Sequence, residues 1–180
     1  MIRAVRKTDA AAIAEIYAPY VLETAVTFEY QAPDEAEFAR RIERITKQFP
    51  WLVWEEEGEI LGYAYADAPF SRPAYAWCAE PSIYLRRDIR GRGIGRALYR
   101  ELEAILEKQG YQILYAIITG DNQASIDFHR ARGYTIRANF PGCAYKFQKS
   151  LGIVWMEKRL KPVEIPNNFP VNWMSIVRDD

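Results

Sequence analysis

The chain has 180 residues, 49% of them hydrophobic, and its 24 basic and 24 acidic side chains give a formal net charge of zero at pH 7. These values predict one domain with a single core, and the balanced charge argues against a nucleic-acid-binding protein. No apolar run reaches the roughly 18 residues of a membrane span, no signal-peptide core follows Met1, and the two cysteines, Cys78 and Cys143, indicate neither a disulfide framework nor a zinc site. We therefore expect a cytoplasmic protein that binds no metal, nucleic acid or membrane.

Hydrophobic periodicity divides the chain into strands and helices in the order β-α-α-β-β-β-α-β-α-β-β. The predicted elements are a strand at Ile2–Val5, helices at Ala10–Tyr17 and from Asp34 onward, strands at Trp51–Glu55, Ile60–Ala68 and Trp77–Leu85, a helix at Ala97–Lys108, a strand at Ile113–Thr119, a helix at Gln123–Arg132, and strands at Tyr134–Asn139 and Ile153–Leu160. This order is typical of a mixed α/β fold with a mostly antiparallel central sheet flanked by helices.

The domain is expected to span residues 1–160, with a C-terminal tail at 161–180. The tail contains several prolines and the pair Asn167-Asn168. It is predicted to be extended, or to dock on a partner subunit through Phe169 and Trp173.

A glycine-rich turn precedes the long helix: residues 90–97 read Arg-Gly-Arg-Gly-Ile-Gly-Arg-Ala. Alternate glycines let successive backbone N–H groups converge at the start of a helix, where the helix dipole and nearby arginines favour an anion such as a pyrophosphate. Neither the Rossmann nor the P-loop glycine spacing fits, and an ordinary basic loop is the alternative interpretation. The candidate anion-binding residues are Arg90, Gly91, Arg92, Gly93, Ile94, Gly95 and Arg96.

Two motifs resemble the GCN5-related N-acetyltransferases (GNAT). Arg90-x-x-Gly93-x-Gly95 is similar to the turn that holds the pyrophosphate of acetyl-CoA in that family, and Asn122-x-x-Ser125-Ile126-x-Phe128-His129 is similar to the segment beside the thioester. Further stretches resemble the branch of phosphinothricin and methionine sulfone/sulfoximine acetyltransferases. These stretches are Val26–Tyr30, Pro50–Val53, Gly62–Ala66, Ile118–Asn122 and Gly142–Phe147.

The resemblance implies a sheet that splays into a V between its fourth and fifth strands, at Ile83 and Ile117. It implies that the pantetheine arm of acetyl-CoA pairs with the edge of Ile83, Tyr84 and Leu85, as an added strand would, and contacts Asn122. The loop Thr24–Tyr30 would cover the active site, and the protein would be a homodimer.

Two side chains are predicted to carry the chemistry. Glu80 lies on the strand that enters the glycine turn, and in the resembling branch a glutamate there acts as the base; the alternative is a solvated or arginine-paired carboxylate. His129, the single histidine, occupies the position of an acid near the sulfur, or is a packed helix residue. Tyr84, Tyr145 and Tyr134 are the other candidate acids, although Tyr134 is better explained as core.

The candidate substrate-binding residues are Phe28, Glu29, Arg72 and Tyr145. Arg72 is suited to bind an amino-acid carboxylate through two parallel hydrogen bonds, or is a solvated loop arginine. We therefore predict an acetyl-CoA-dependent N-acetyltransferase acting on the α-amine of a small amino acid or analogue. The alternatives are a non-catalytic acetyl-CoA-binding module, or an enzyme for another amine such as a polyamine, aminoglycoside or peptide N-terminus.

Overall fold

The computed structural model describes residues 1–89, 91–162 and 164–177. Within these ranges, seven strands form one sheet in the order β1-β2-β3-β4-β5-β7-β6, flanked by five α-helices. The strands are β1 (Ile2–Ala4), β2 (Trp51–Glu56), β3 (Glu59–Asp67), β4 (Cys78–Leu85), β5 (Ile113–Thr119), β6 (Thr135–Lys146) and β7 (Lys149–Arg159). The helices are α1 (Ala10–Glu23), α2 (Glu35–Ile45), α3 (Ile94–Gln109), α4 (Gln123–Arg130) and α5 (Trp173–Val177).

The predicted order of elements and the mixed α/β class are confirmed, and the bounds of β5 agree with the prediction. Helix α1 was predicted to end at Tyr17 but continues to Glu23, with Pro19 inside the helix. Strand β6 continues beyond Asn139, with register shifts at Ile136/Ala138 and Phe140/Ala144. Such bulges let a strand absorb a proline and a glycine, here Pro141 and Gly142, that read in sequence as a strand end.

Strands β4 and β5 form the only parallel pair recorded in the described sheet, and they soon separate. Cys78 pairs with Ile113 and Ala79 with Leu114, and the pairing ends there. On its other side, β4 stays paired with β3 as far as Leu85. The predicted V is therefore present, and alternate backbone groups of β4 beyond Ala79 face an open cleft.

The two faces of β4 contact different helices. Methyl groups of Ile83 and Leu85 lie against Gly95 of α3. The ring of Tyr84 packs at 4.8 Å, edge to face, on Tyr17 of α1. Because side chains alternate along a strand, Glu80 and Ser82 share the face of Tyr84, towards α1 and α2.

The C-terminal tail packs on its own chain, which differs from the predicted extended or partner-docked tail. Trp173 is buried, and its indole N–H donates to the carbonyl of Thr46 at 2.9 Å. The ring of Phe169 stacks on Trp77 at 4.9 Å. A buried tail aromatic needs a cleft to fill, and the sequence does not specify whether the same chain provides it. No helix in the described ranges is long and apolar enough to cross a membrane.

Candidate functional site

The glycine turn before α3 has a backbone conformation that residues with a side chain rarely adopt. Gly91 and Gly93 have φ of 73° and 74°, in the left-handed region, and no atom lies within 4 Å of a Cβ built on either. Gly93 is the N-cap of α3 and provides no side-chain acceptor for the N–H groups of the first helical turn. The turn therefore presents backbone donors beside open space.

Gly95 allows α3 to pack closely against β4. A Cβ on Gly95 would lie 3.3 Å from Leu85 Cδ1 and 3.5 Å from Ile83 Cδ1, so even a methyl group there would crowd these two side chains of β4. Ile94 is buried in the core beside it.

The arginines of the turn differ in their partners. Arg92 pairs with Glu56 of β2 at 2.6 Å, and Arg96 is exposed. Arg90, the first residue of the predicted signature, lies outside the described residues.

A cavity of ≈ 70 Å³ occupies the V. It is lined on one side by β4 from Pro81 to Tyr84 and on the other by Ala116–Ile118 of β5, with Asn122 and His129 of the α4 region at its end. Asn122 Oδ1 accepts from the N–H of Ser125 at 3.2 Å and so caps α4. Ile83 and Tyr84 of the predicted strand edge and the predicted Asn122 therefore line the same cavity.

A groove larger than this cavity lies elsewhere. It has a volume of ≈ 780 Å³ and runs between α1 and the β2–β3 hairpin, past Arg3 and Glu59. None of the predicted site residues that the structure describes lines it, so its size does not identify the reaction site.

Glu80 is half-buried and lies directly opposite Asp67 of β3 in the ladder. Burial, followed by the charge of Asp67, raises the pKa of Glu80 to about 7. No ion pair or hydrogen bond to its carboxylate is recorded among the described residues, which disfavours the alternative of an arginine-paired carboxylate. A carboxylate with a pKa near neutrality is suited to general base catalysis.

His129 is only 4% exposed, and both ring nitrogens make internal hydrogen bonds. Nδ1 lies 2.8 Å from the carbonyl oxygen of Ser125, and Nε2 lies 2.7 Å from the hydroxyl of Tyr99. Because a carbonyl only accepts, Nδ1 carries the proton and Nε2 accepts from Tyr99. The predicted proton relay to the sulfur does not fit this arrangement, since no ring nitrogen is left for it. The arrangement fits the alternative interpretation, in which His129 is a packed helix residue.

We expect His129 to make the protein less stable below neutral pH. Burial lowers its pKa from 6.5 to about 4, so between these values the unfolded chain binds a proton that the native state excludes. The free energy of unfolding should therefore fall as pH drops from 6.5 to 4, by up to about 3 kcal/mol. Urea unfolding of the parent and of His129→Gln across this range measures the difference. Parallel stability profiles for the two proteins would contradict the assignment.

The loop over the V, Thr24–Tyr30, is held by Lys146, which the sequence did not single out as a site residue. The buried ammonium of Lys146 donates to the carbonyls of Thr24 at 2.8 Å and Thr27 at 2.7 Å. Thr119, at the end of β5, donates to the carbonyl of Ala25 at 2.6 Å. The loop is thus tied to both β5 and β6.

Three of the four predicted substrate residues lie on or beside this loop. The carboxylate of Glu29 accepts from Arg41 at 2.8 and 3.1 Å and from Tyr17 at 3.1 Å, so its charge is already paired. Phe28 precedes it, and Tyr145 is 68% exposed, with its carbonyl accepting from the hydroxyl of Tyr30.

Arg72 is exposed in the segment between β3 and β4. Phe70 anchors that segment by stacking on Trp155 of β7 at 5.8 Å. No cluster of three or more metal-ligating side chains occurs in the described ranges.

The comparison with known families decides the class of this protein. Residues 2–155 match the acetyltransferase (GNAT) domain model. The chain belongs to the GNAT acetyltransferase family. It is an N-acetyltransferase by family and by fold, and the predicted resemblance is confirmed.

Two relatives and one solved structure illustrate the similarity to other GNAT proteins. Phosphinothricin N-acetyltransferase of Streptomyces viridochromogenes is 34% identical over 145 residues, covering 81% of this chain and 79% of that protein. The L-methionine sulfoximine/L-methionine sulfone acetyltransferase of Salmonella typhimurium is 32% identical over 167 residues, covering 92% and 98%. The structure of yncA from Salmonella typhimurium with its cofactor acetyl-CoA superposes with a TM-score of 0.88 at 32% identity, covering 93% of this chain and 97% of that one.

Proposed function

We propose that this protein transfers the acetyl group of acetyl-CoA to the α-amine of a small amino acid or analogue, of the phosphinothricin or methionine sulfone/sulfoximine type. The observation that carries the proposal is the open V between β4 and β5, with the glycine turn beyond one of its strands. On that same strand lies Glu80, whose carboxylate has no recorded partner in the part of the chain that the structure describes. The names of the relatives at 32–34% identity support the class of acceptor.

The residues around the V fit acetyl-CoA. The first N–H groups of α3, with the charges of Arg90, Arg92 and Arg96, would hold the pyrophosphate over Gly91 and Gly93. The open edge of β4 at Ile83, Tyr84 and Leu85, together with the amide of Asn122, would hold the pantetheine arm, although the carbonyl of Leu85 already accepts from the hydroxyl of Tyr20 at 2.6 Å. When bound, acetyl-CoA supplies an activated acetyl thioester.

In this proposal Glu80 accepts the proton of the acceptor's α-ammonium group. An α-amine has an ordinary pKa of about 7.7–8, so transfer to a carboxylate whose pKa is about 7 is nearly balanced. Tyr84 lines the V and replaces His129 as the candidate hydrogen-bond donor to the leaving thiolate, since burial raises the pKa of its phenol and keeps it protonated. Phe28, Glu29, Arg72 and Tyr145 are proposed to contact the acceptor, with Arg72 taking its carboxylate.

A thiol-release assay with acetyl-CoA and a panel of amines tests the proposal. We expect turnover with methionine sulfone, methionine sulfoximine or phosphinothricin, and much weaker turnover with a polyamine, an aminoglycoside and a peptide N-terminus. Binding of acetyl-CoA without thiol release for any amine would indicate a non-catalytic binding module. A preference for one of the other amines would overturn the acceptor class and leave the transfer intact.

We also propose that the protein is a homodimer whose catalytic domain is residues 1–160. Strand β6 lies at the end of the sheet and leaves Ile136 and Phe140 each 48% exposed, which is apolar surface suited to a second copy. Sedimentation at micromolar concentration is expected to give twice the mass of the chain. A single species with the mass of one chain would refute the dimer.

The protein is further proposed to work in the cytoplasm, because both cysteines, Cys78 and Cys143, are unpaired.

A further inference from the structure

We propose that Asp67 and Arg44 are positioning residues that set how readily Glu80 accepts a proton, and that they act in opposite directions. The inference rests on the proposed role of Glu80 as the base. It adds two residues to which no catalytic part has been assigned.

Asp67 and Glu80 form a directly opposed pair of carboxyl groups on β3 and β4. Residues opposite each other in an antiparallel pair have Cβ atoms about 4.5–5.5 Å apart and point to the same face of the sheet. Two negative charges in such a position repel, so the arrangement favours one charged and one protonated carboxyl.

Arg44 determines which carboxyl stays charged. Its guanidinium, on α2, binds Asp67 through two hydrogen bonds of 2.8 and 3.3 Å. Glu80 has no recorded cationic partner in the described ranges. The charge of Asp67 is therefore paired with Arg44, and Glu80 is the unpartnered carboxyl of the two in the described ranges, with a pKa near neutrality.

The other groups around Glu80 are neutral or already paired. Burial raises the pKa of the tyrosines and of the cysteine near it, so these side chains carry no charge at pH 7. Arg41 of α2 is paired with Glu29 and Glu37. The titratable and charged groups on the face of Glu80 are Tyr65 and Asp67 on β3, Cys78 on β4, Tyr115 on β5, Glu157 on β7, and Arg41 and Arg44 on α2. Glu157 is already paired with Arg137 and Arg159, and Tyr99 of α3 acts on Glu80 from the other face of the sheet.

The two partners should therefore have effects of opposite sign. The charge of Asp67 makes protonation of Glu80 more favourable, and Arg44 partly cancels that charge. Removing Asp67 should lower the pKa of Glu80, whereas removing Arg44 should raise it. General damage to the site would not produce shifts in two directions.

The test is a ¹³C NMR titration of the Glu80 carboxyl group, assigned with Glu80→Gln, alongside the pH dependence of kcat/KM. In Asp67→Asn the midpoint should fall by on the order of one pH unit, and in Arg44→Gln it should rise by roughly half a unit. In each variant the acid limb of the pH profile of kcat/KM should shift in the same direction as the NMR midpoint. Arg44→Lys keeps the charge and should restore a midpoint near that of the parent.

Arg40→Gln is the matched control. Arg40 lies on the same helix and is exposed, and its recorded ion pair is with Glu37, so the midpoint should not move. Shifts in the same direction for Asp67→Asn and Arg44→Gln, or no shift in either, would overturn the proposal. If the NMR midpoints shift in opposite directions but the acid limb of kcat/KM does not follow them, Asp67 and Arg44 do set the protonation of Glu80. Glu80 is then not the base, and the proposed mechanism is refuted.

Discussion

Replacing Glu80 by glutamine should lower kcat by about 10²–10⁴-fold and leave acetyl-CoA affinity near the parent value. The amide has the shape of the carboxyl group but cannot take a proton from the acceptor. Acetyl-CoA is proposed to bind through β4 backbone and the glycine turn, which this change does not touch. Steady-state kinetics and calorimetry measure the two effects separately.

Glu80→Gln should also be more stable than the parent at pH 8. The pKa of Glu80 is raised in the folded state, from 4.5 to about 7, so the parent loses stability as pH rises through this range and Glu80 ionises. The variant avoids this loss, and because Glu80 is only half-buried we expect a gain of about 1–3 kcal/mol. Glu101→Gln, at an exposed position of α3, should change neither activity nor stability. A destabilised Glu80→Gln protein would indicate a structural role for this carboxylate.

Replacing Gly93 by valine should weaken acetyl-CoA binding by on the order of 100-fold or more. A branched side chain at φ of 74° strains the turn and fills the space through which an anion would reach the first N–H groups of α3. Each hydrogen bond to a charged group that is lost costs about 1.5–3 kcal/mol, and every 1.4 kcal/mol is tenfold in affinity. Isothermal titration calorimetry with acetyl-CoA measures the loss.

Gly58→Val provides the matched control for Gly93→Val. Gly58 has φ of 83° and nothing within 4 Å of a built Cβ, and it lies in the β2–β3 hairpin turn, outside the V. Both variants should lose about 1–3 kcal/mol of stability to backbone strain. Only Gly93→Val should lose acetyl-CoA affinity. Equal affinities in the two variants would remove the glycine turn from the cofactor site.

Local patterns predict the elements that position the site. The apolar end of the strand Trp77–Leu85 and the glycines after it are sufficient to predict a strand followed by the start of a helix. The V was implied by the resemblance and is confirmed by the end of β4–β5 pairing at Ala79 and Leu114. These features depend on residues that are near one another in sequence or on whole motifs.

The tertiary partners of the site residues were not predictable in the same way. The hydroxyl of Tyr99, on another helix, donates a hydrogen bond to Nε2 of His129. The ammonium of Lys146 donates to the carbonyl of Thr24, in a loop more than 100 residues earlier in the chain. The pairing of Asp67 with Glu80 depends on the register set by the whole segment between β3 and β4. Such contacts depend on how separate elements pack, so a motif that indicates a position does not specify the partners of its side chain.

The most direct test of the central claim is the pH dependence of kcat/KM for the parent and Glu80→Gln, measured side by side with the best amino acid acceptor. The parent should gain activity as pH rises through about 7, where Glu80 loses its proton, and then level off once the acceptor amine is neutral. Glu80→Gln should lack the limb near 7 and keep only the rise set by the amine, so the gap between the two proteins should narrow at high pH. Parallel profiles would contradict the account, because the amine would then lose its proton to another group.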